Sequence, residues 1–341
     1  MRILITGGAG FIGFHTARHF HSLGNKITVL DNLSRNGSSL NLRLLQSQTP
    51  DIEFIRADIT EQEELFAVLE NKIFDVVIHL AAQTAVTTSL VNPRSDFESN
   101  SIGSLNVLEW ARVQKVSPFL IYSSTNKVYG CLRGTNLVEQ DSRYSLITLG
   151  ETNLGIDEMQ QLSFKSPYGC SKGYADQAFL DYSESFGIPT VVFRQSCIYG
   201  TFQYGVEDQG WAAWMALAAL EKRKINIYGN GKQVRDLLFV DDLVLAYENA
   251  INNQELVRGN AFNIGGGYKN SMSILEYLEF IGDYLKMPID YSFLPPRLGD
   301  QKYFVSNNDK LMEILGWRPK TTLFDGIPQM VTWIRKNRIS L

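Results

Sequence analysis

The stretch Gly7-Gly8-Ala9-Gly10-Phe11-Ile12-Gly13 lies between an apolar run, Arg2 to Thr6, and a helix-like run from Phe14 to Leu23. Strand, glycine turn and helix in that order restrict a chain to a βαβ opening, because glycines let the backbone turn tightly and bring the helix N-terminus up to the strand end. The same arrangement makes an anion site. First-turn N–H groups and the helix dipole face a pyrophosphate that a glycine backbone can approach closely. Both G-x-G-x-x-G and G-x-x-G-x-x-G are present, so Gly7, Gly10, Phe11, Ile12 and Gly13 are expected to carry a dinucleotide.

The next strand, residues 26–30, ends at Asp31, close to the spacing at which a carboxylate meets the adenosine ribose. A carboxylate there accepts from both ribose hydroxyls and repels a 2′-phosphate, so the expected cofactor is NAD. Arg35 can either accommodate a 2′-phosphate or stack on adenine. Further strands are expected over residues 52–58, 75–82, 118–123 and 188–194. Repeated βα units imply an α/β fold with a Rossmann-type, doubly wound parallel sheet. Asp58 ends one strand where it could meet the adenine amine. His79, inside an apolar strand, is expected to be a packed core residue. Gln83 to Val86, and Ser123-Ser124-Thr125, leave the sheet at its C-terminal edge, where such folds bind ligands.

Tyr168 and Lys172 are four residues apart at the start of a helix expected over 168–186, so they share a face. An ammonium beside a phenol favours the phenolate, which would be a general base. The spacing alone is weak, since helix faces carrying Tyr and Lys are common on surfaces.

The 341 residues are enough for one large core plus a second lobe. The expected division is 1–195 plus 239–266 for NAD and 196–238 plus 267–341 for a smaller mixed α/β substrate lobe. Residues 131–165 read as a long polar connection without periodicity. A net charge of −4 gives no reason to bind nucleic acid or an anionic membrane surface, which points to a small-molecule partner. The three cysteines form no C-x-x-C and are odd in number, arguing against a disulfide framework or zinc site; no metal is expected. There is no transmembrane-length apolar run and no signal-peptide pattern, so a cytoplasmic setting is expected.

Together, Thr6 to Gly13, Asp31, Asp58, Leu80-Ala81-Ala82, Ser123 to Gly130, Tyr168-x-x-x-Lys172 and Arg235-Asp236 resemble the extended short-chain dehydrogenase/reductase family, the nucleotide-sugar epimerases and dehydratases. A closer resemblance, to the subgroup that epimerises CDP-deoxyhexoses at C2, rests on more specific stretches. These are Ser123 to Gly130, Ser166 to Lys172 with its Gly-Cys-Ser centre, Glu207 to Trp211, Gly229 to Asp236, and the insertion carrying Gly155 to Glu158.

The resemblance implies a catalytic set of Thr125, Tyr168 and Lys172, with Lys172 also holding the nicotinamide ribose. It adds Asn32, Ser34, Ile59, Leu80, Ala81, Ala82, Gln83, Asn100 and Ser123 to the NAD site. It places Val86, Thr125, Asn126, Lys127, Cys197, Gln209, Gly210 and Trp211 around a nucleotide sugar, preferably a CDP-deoxyhexose, with Arg235 and Arg297 on its diphosphate. Cys197 stands where many relatives have asparagine near the diphosphate. A homo-oligomer, dimer or tetramer, is also implied. The implied reaction is epimerisation by transient oxidation. Related 4,6-dehydratases place an Asp-Glu pair after the threonine, where this chain has Asn126 and Lys127. Two alternatives stay open: a UDP-hexose 4-epimerase using the same residues, and a non-catalytic NAD-binding protein.

Overall fold

The computed structural model describes residues 1–132, 134–147, 155–297 and 299–337. These fall into two compact units. The first contains Met1–Thr125, Ser166–Arg194 and Val244–Phe262; the second contains Asn126–Lys165, Gln195–Leu243 and Asn263–Leu341.

The first unit is built on a seven-stranded sheet of β1 (Arg2–Thr6), β2 (Lys26–Asp31), β3 (Glu53–Arg56), β4 (Val76–His79), β5 (Phe119–Thr125), β6 (Thr190–Gln195) and β7 (Asn260–Ile264), in the order β7-β6-β5-β4-β1-β2-β3. The pairs β1–β2, β1–β4, β2–β3 and β4–β5 are parallel. Ile3, Ile5, Val76, Val77 and Ile78 are wholly buried, as expected of a sheet covered on both faces. From β1 the chain builds β2 and β3 to one side, then crosses to place β4 and β5 on the other. The order therefore reverses between β1 and β4. Thr6 pairs with His79 there, so the turns after both strands, Gly7 and Leu80-Ala81, emerge side by side at the crevice where such sheets bind ligands.

The helix carrying Tyr168 runs Ser166–Phe186, starting two residues earlier than expected. It packs Ala175 and Phe179 into a core with Leu4, Val77, Leu120, Tyr122 and Val192. A composite helix precedes β5: α-helix Pro93–Phe97, a π-helical turn Glu98–Ile102, then α-helix Gly103–Arg112. Asn100 and Ser101 are the buried residues of the π turn. His79 is a core residue, as expected. It bonds Thr6 Oγ1 at 2.6 Å and Ser104 Oγ at 3.0 Å and stacks on Phe179, and burial drives its pKa down to about 3, so it is neutral.

In the second unit the strand Val234–Phe239 pairs antiparallel with Ser271–Ser273 and parallel with Tyr303–Phe304 and Cys197–Tyr199, while Ile225–Tyr228 pairs with Tyr291–Leu294. Helices Trp211–Leu220, Ile274–Leu285 and Leu323–Asn337 contribute Met215, Tyr277, Ile281, Ile327 and Met330 to its core.

The boundaries differ from the expectation. Residues 126–165, assigned to the first lobe, cluster with the second unit, because Val128, Tyr129, Leu132 and Ile156 bury themselves against Phe304. Residues 133 and 148–154 of that connection lie outside the described residues. The return to the first unit comes inside the helix Val240–Asn252, at Val244 and not at 239, and 263–266 belong to the second unit.

Candidate active site

In the first unit, the glycine turn has the tightness a close ligand approach needs. Gly7 has φ +68°, and a Cβ there would lie 2.7 Å from the Ala81 nitrogen. A Cβ on Gly13 would lie 2.3 Å from the Gly7 carbonyl oxygen, which holds the first turn of helix Phe11–Ser22 against β1. No side chain caps that helix N-terminus at Gly10, so its first-turn N–H groups face outward as an anion site.

At the end of β2, buried Asp31 accepts from Ala9 N at 3.1 Å and Leu33 N at 2.8 Å. Burial raises its pKa while these two bonds pull it down. Each oxygen keeps a lone pair for a ribose hydroxyl. Asn32 Nδ2 donates to Asp58 at 2.8 Å, and Thr60 donates to the other Asp58 oxygen, so Asn32 and Asp58 form one cluster. Arg35 is turned onto Thr84 Oγ1, 2.6 Å away. Gln83 spends its amide on both backbone groups of Ala85 and on Asp96. Asn100 is fully buried, and its Oδ1 has no hydrogen-bond partner among the described residues. The tight glycine turn, the ribose-facing carboxylate and this unpaired buried oxygen together fit a dinucleotide.

At the end of β5, Thr125 is hydrogen-bonded to the Tyr168 hydroxyl. Both are buried, so a hydroxyl pair converges on the C-terminal sheet edge. The expected effect of Lys172 on the tyrosine is not what the structure has. Burial dominates and raises the Tyr168 pKa to about 12; the Thr125 bond lowers it, Asp96 raises it, and Arg35 lowers it. The Lys172 ammonium donates to Ser123 O at 2.6 Å and lies 4.3 Å from the centre of the Tyr122 ring. Burial lowers its own pKa to about 7, against the pull of Asp176 and Asp96.

In the second unit, Lys127 Nζ donates to Gln301 Oε1 at 3.1 Å and is 3.9 Å from Asp300. Burial lowers its pKa to about 8, and Arg235 adds to the fall. Gln301 also reaches the Asn126 carbonyl at 3.4 Å. Arg235 donates to Asp300 at 2.6 Å and to the Gln301 carbonyl at 2.5 Å. Cys197 Sγ accepts from Trp211 Nε1 at 3.4 Å; burial raises its pKa, with the Arg235 charge opposing. Arg297 is paired with Asp208 at 2.8 Å and stacks over Tyr228 at 3.7 Å. Gln209 forms a backbone bridge to Val206, and Gly210, at φ +76°, leads into the Trp211–Leu220 helix.

Sequence reasoning thus located both arginines but not their carboxylates, Asp300 and Asp208, nor Gln301, which ties Lys127 to Asn126. It also passed over Asp96, whose signal was a carboxylate one helical turn before Asn100.

A family model for the NAD-dependent epimerase/dehydratase family matches residues 3–265. The chain belongs to that family. NAD is the family's cofactor, in agreement with the turn and Asp31. Over 338 residues the chain is 44% identical to CDP-paratose 2-epimerase of Salmonella typhi, covering 98% of this chain and 99% of that protein. Among solved structures, it resembles the UDP-glucose 4-epimerase of Thermotoga maritima with UDP-glucose at a TM-score of 0.83 and 30% identity, covering 99% of this chain and 100% of that one. It also resembles the Thermus thermophilus UDP-glucose 4-epimerase in complex with NAD, at a TM-score of 0.82 and 29% identity over 98% of this chain and 99% of that one.

Proposed function

We propose that this protein is an isomerase that inverts C2 of CDP-paratose to give CDP-tyvelose. The observation that carries the reading is the pair of residues following Thr125. Asn126 is neutral and Lys127 is a half-buried amine that donates to Gln301, so the carboxylate pair that an elimination needs is missing where the dehydratases of this family carry it. What remains is a chain equipped to move one proton reversibly. The 44% identity to a CDP-paratose 2-epimerase supports the choice of nucleotide and carbon.

In this reading Gly7, Gly10, Phe11, Ile12 and Gly13 hold the pyrophosphate of NAD, Asp31 holds its adenosine ribose, and Asn100 and Lys172 line the nicotinamide end. When bound, NAD supplies a reversible two-electron acceptor, which lets an alcohol carbon pass through a ketone and return inverted. Thr125 holds the substrate hydroxyl by hydrogen bond. Tyr168 takes the hydroxyl proton as general base and returns it as general acid. With its pKa near 12 in the protein alone, Tyr168 depends on nearby positive charge to ionise at neutral pH, and Arg35 is a cation of this unit whose charge lowers it. Arg235 and Arg297 meet the nucleotide diphosphate as charge-assisted donors, while Gln209, Gly210 and Trp211 line the nucleotide-sugar site.

A homo-oligomer is part of the proposal. Leu90, Val91, Phe97, Ile102 and Tyr174 are exposed apolar side chains on the first unit, and Phe97 and Tyr174 pack with ring centres 6.2 Å apart. A light-scattering mass equal to one chain would retire that part. The three free cysteines support a reducing, cytoplasmic location.

The test is product analysis by NMR with CDP-, UDP- and GDP-sugars. Conversion of CDP-paratose, lost by at least about a thousandfold in Tyr168→Phe, is the expected result. Preference for a UDP-hexose would favour 4-epimerisation, and no conversion of any sugar would favour a non-catalytic NAD-binding protein.

A further inference from the structure

Asp96 is 1% exposed, yet all its hydrogen-bond partners are neutral. Its carboxylate accepts from Ser171 Oγ at 2.5 Å, Gln83 Nε2 at 2.6 Å and Asn100 Nδ2 at 3.3 Å. Ser171 is the residue before Lys172. It is held a second time by Asn100 Nδ2 at 3.1 Å, and its carbonyl accepts from Ser101 Oγ at 3.1 Å. Three residues of the composite helix therefore grip the Ser166–Phe186 helix at one point, between Tyr168 and Asp176.

The other carboxylate near Lys172 is already compensated. Asp176 is fully buried and receives both Arg194 Nε at 3.0 Å and Arg194 Nη2 at 2.9 Å, with Ser124 Oγ at 2.6 Å. Among the described residues, no lysine or arginine donates to Asp96. Its burial raises its pKa, while Lys172 pulls it down. The neutral His79 on β4 and Tyr122 on β5 also lie near Lys172.

We propose that Asp96 is a positioning residue for the Tyr168–Lys172 pair: it locks the helix at Ser171 and sets a buried carboxylate, bonded only by neutral donors, against the residue that precedes Lys172. This rests on the reading of Tyr168 as the general base. A buried carboxylate with no cation of its own is costly to keep. A neutral amide of the same shape would serve a purely structural tether, so the charge is the part that the chemistry uses.

Asp96→Asn separates the two roles. Removing the charge lowers the pKa of both Lys172 and Tyr168, so both limbs of the kcat/KM profile should move toward acid, by roughly one pH unit. In the cofactor-free protein, the pH above which stability begins to rise because of Lys172 should fall by a similar amount. Ser171→Ala keeps the charge but removes the side-chain bonds that tie Ser171 to Asp96 and Asn100. Its kcat should fall roughly tenfold through misplacement of the pair, with KM and pH optimum unchanged. A profile for Asp96→Asn that overlays the wild type after scaling overturns the proposal, and so does a wild-type kcat in Ser171→Ala. If Asp96→Asn does not fold, Ser171→Ala decides. Full activity in Tyr168→Phe would instead remove the general-base reading itself, so the two failures are distinguishable.

Discussion

Lys172 is the residue whose environment departs furthest from what its position suggested. On a helix face beside Tyr168 it reads as the group that acidifies the phenol. In the folded unit it is desolvated, donates to the Ser123 carbonyl and lies over the Tyr122 ring, with its pKa lowered from 10.5 to about 7. The consequence for stability has a definite sign. Between pH 7 and 10.5 the unfolded chain binds a proton at this lysine that the folded chain does not. Stability therefore rises with pH across that window and is flat below it as far as this group is concerned. Denaturant midpoints of the cofactor-free protein at pH 7 and pH 9, compared with Lys172→Met, should show a rise in the wild type that the variant lacks. Equal slopes in both would mean that the lysine is solvated. The spacing of Tyr168 and Lys172 was legible in the sequence. Their pKa values were not, because desolvation depends on Tyr122, Ser123 and Asp96, which come from other elements.

The element that fixes the cofactor site is the turn between β1 and helix Phe11–Ser22. Alanine at Gly13 would put its Cβ 2.3 Å from the Gly7 oxygen and 2.5 Å from the Gly8 Cα, backbone atoms that cannot rotate away. Gly13→Ala is expected to cost about 1–3 kcal/mol of stability and to weaken NAD binding at least tenfold, by thermal melting and cofactor titration. Gly10, where a Cβ would meet only the Gly7 oxygen at 3.1 Å, should tolerate alanine better. This element was readable in advance because its chemistry is local: apolar strand, glycines and helix are consecutive in sequence. The π turn at Glu98–Ile102 was not, since no residue in Glu-Ser-Asn-Ser-Ile distinguishes it from an α-helical turn. What distinguishes it is tertiary, namely Asn100 and Ser101 reaching Ser171, and Ser104 Oγ bonding the Asn100 carbonyl at 2.6 Å.

At the scale of the whole molecule, the chain crosses between its two units several times. The expected division already interleaved the lobes, returning to the first at 239–266, but gave no sign that 126–165 belongs with the second unit. That assignment depends on Val128, Tyr129 and Ile156 finding Phe304, more than 140 residues away in the chain. The proposed division of labour follows the same lines, with the proton-moving residues Thr125, Tyr168 and Lys172 in the first unit and Arg235, Arg297 and Trp211 in the second. The central claim is that one sugar carbon is oxidised and reduced in place, with Tyr168 taking and returning only the hydroxyl proton. The most direct test follows CDP-paratose by NMR in heavy water with the NAD-loaded protein. The account predicts CDP-tyvelose carrying protium at C2, with formation lost in Tyr168→Phe. Solvent deuterium on a sugar carbon, or equal product from both proteins, would contradict it.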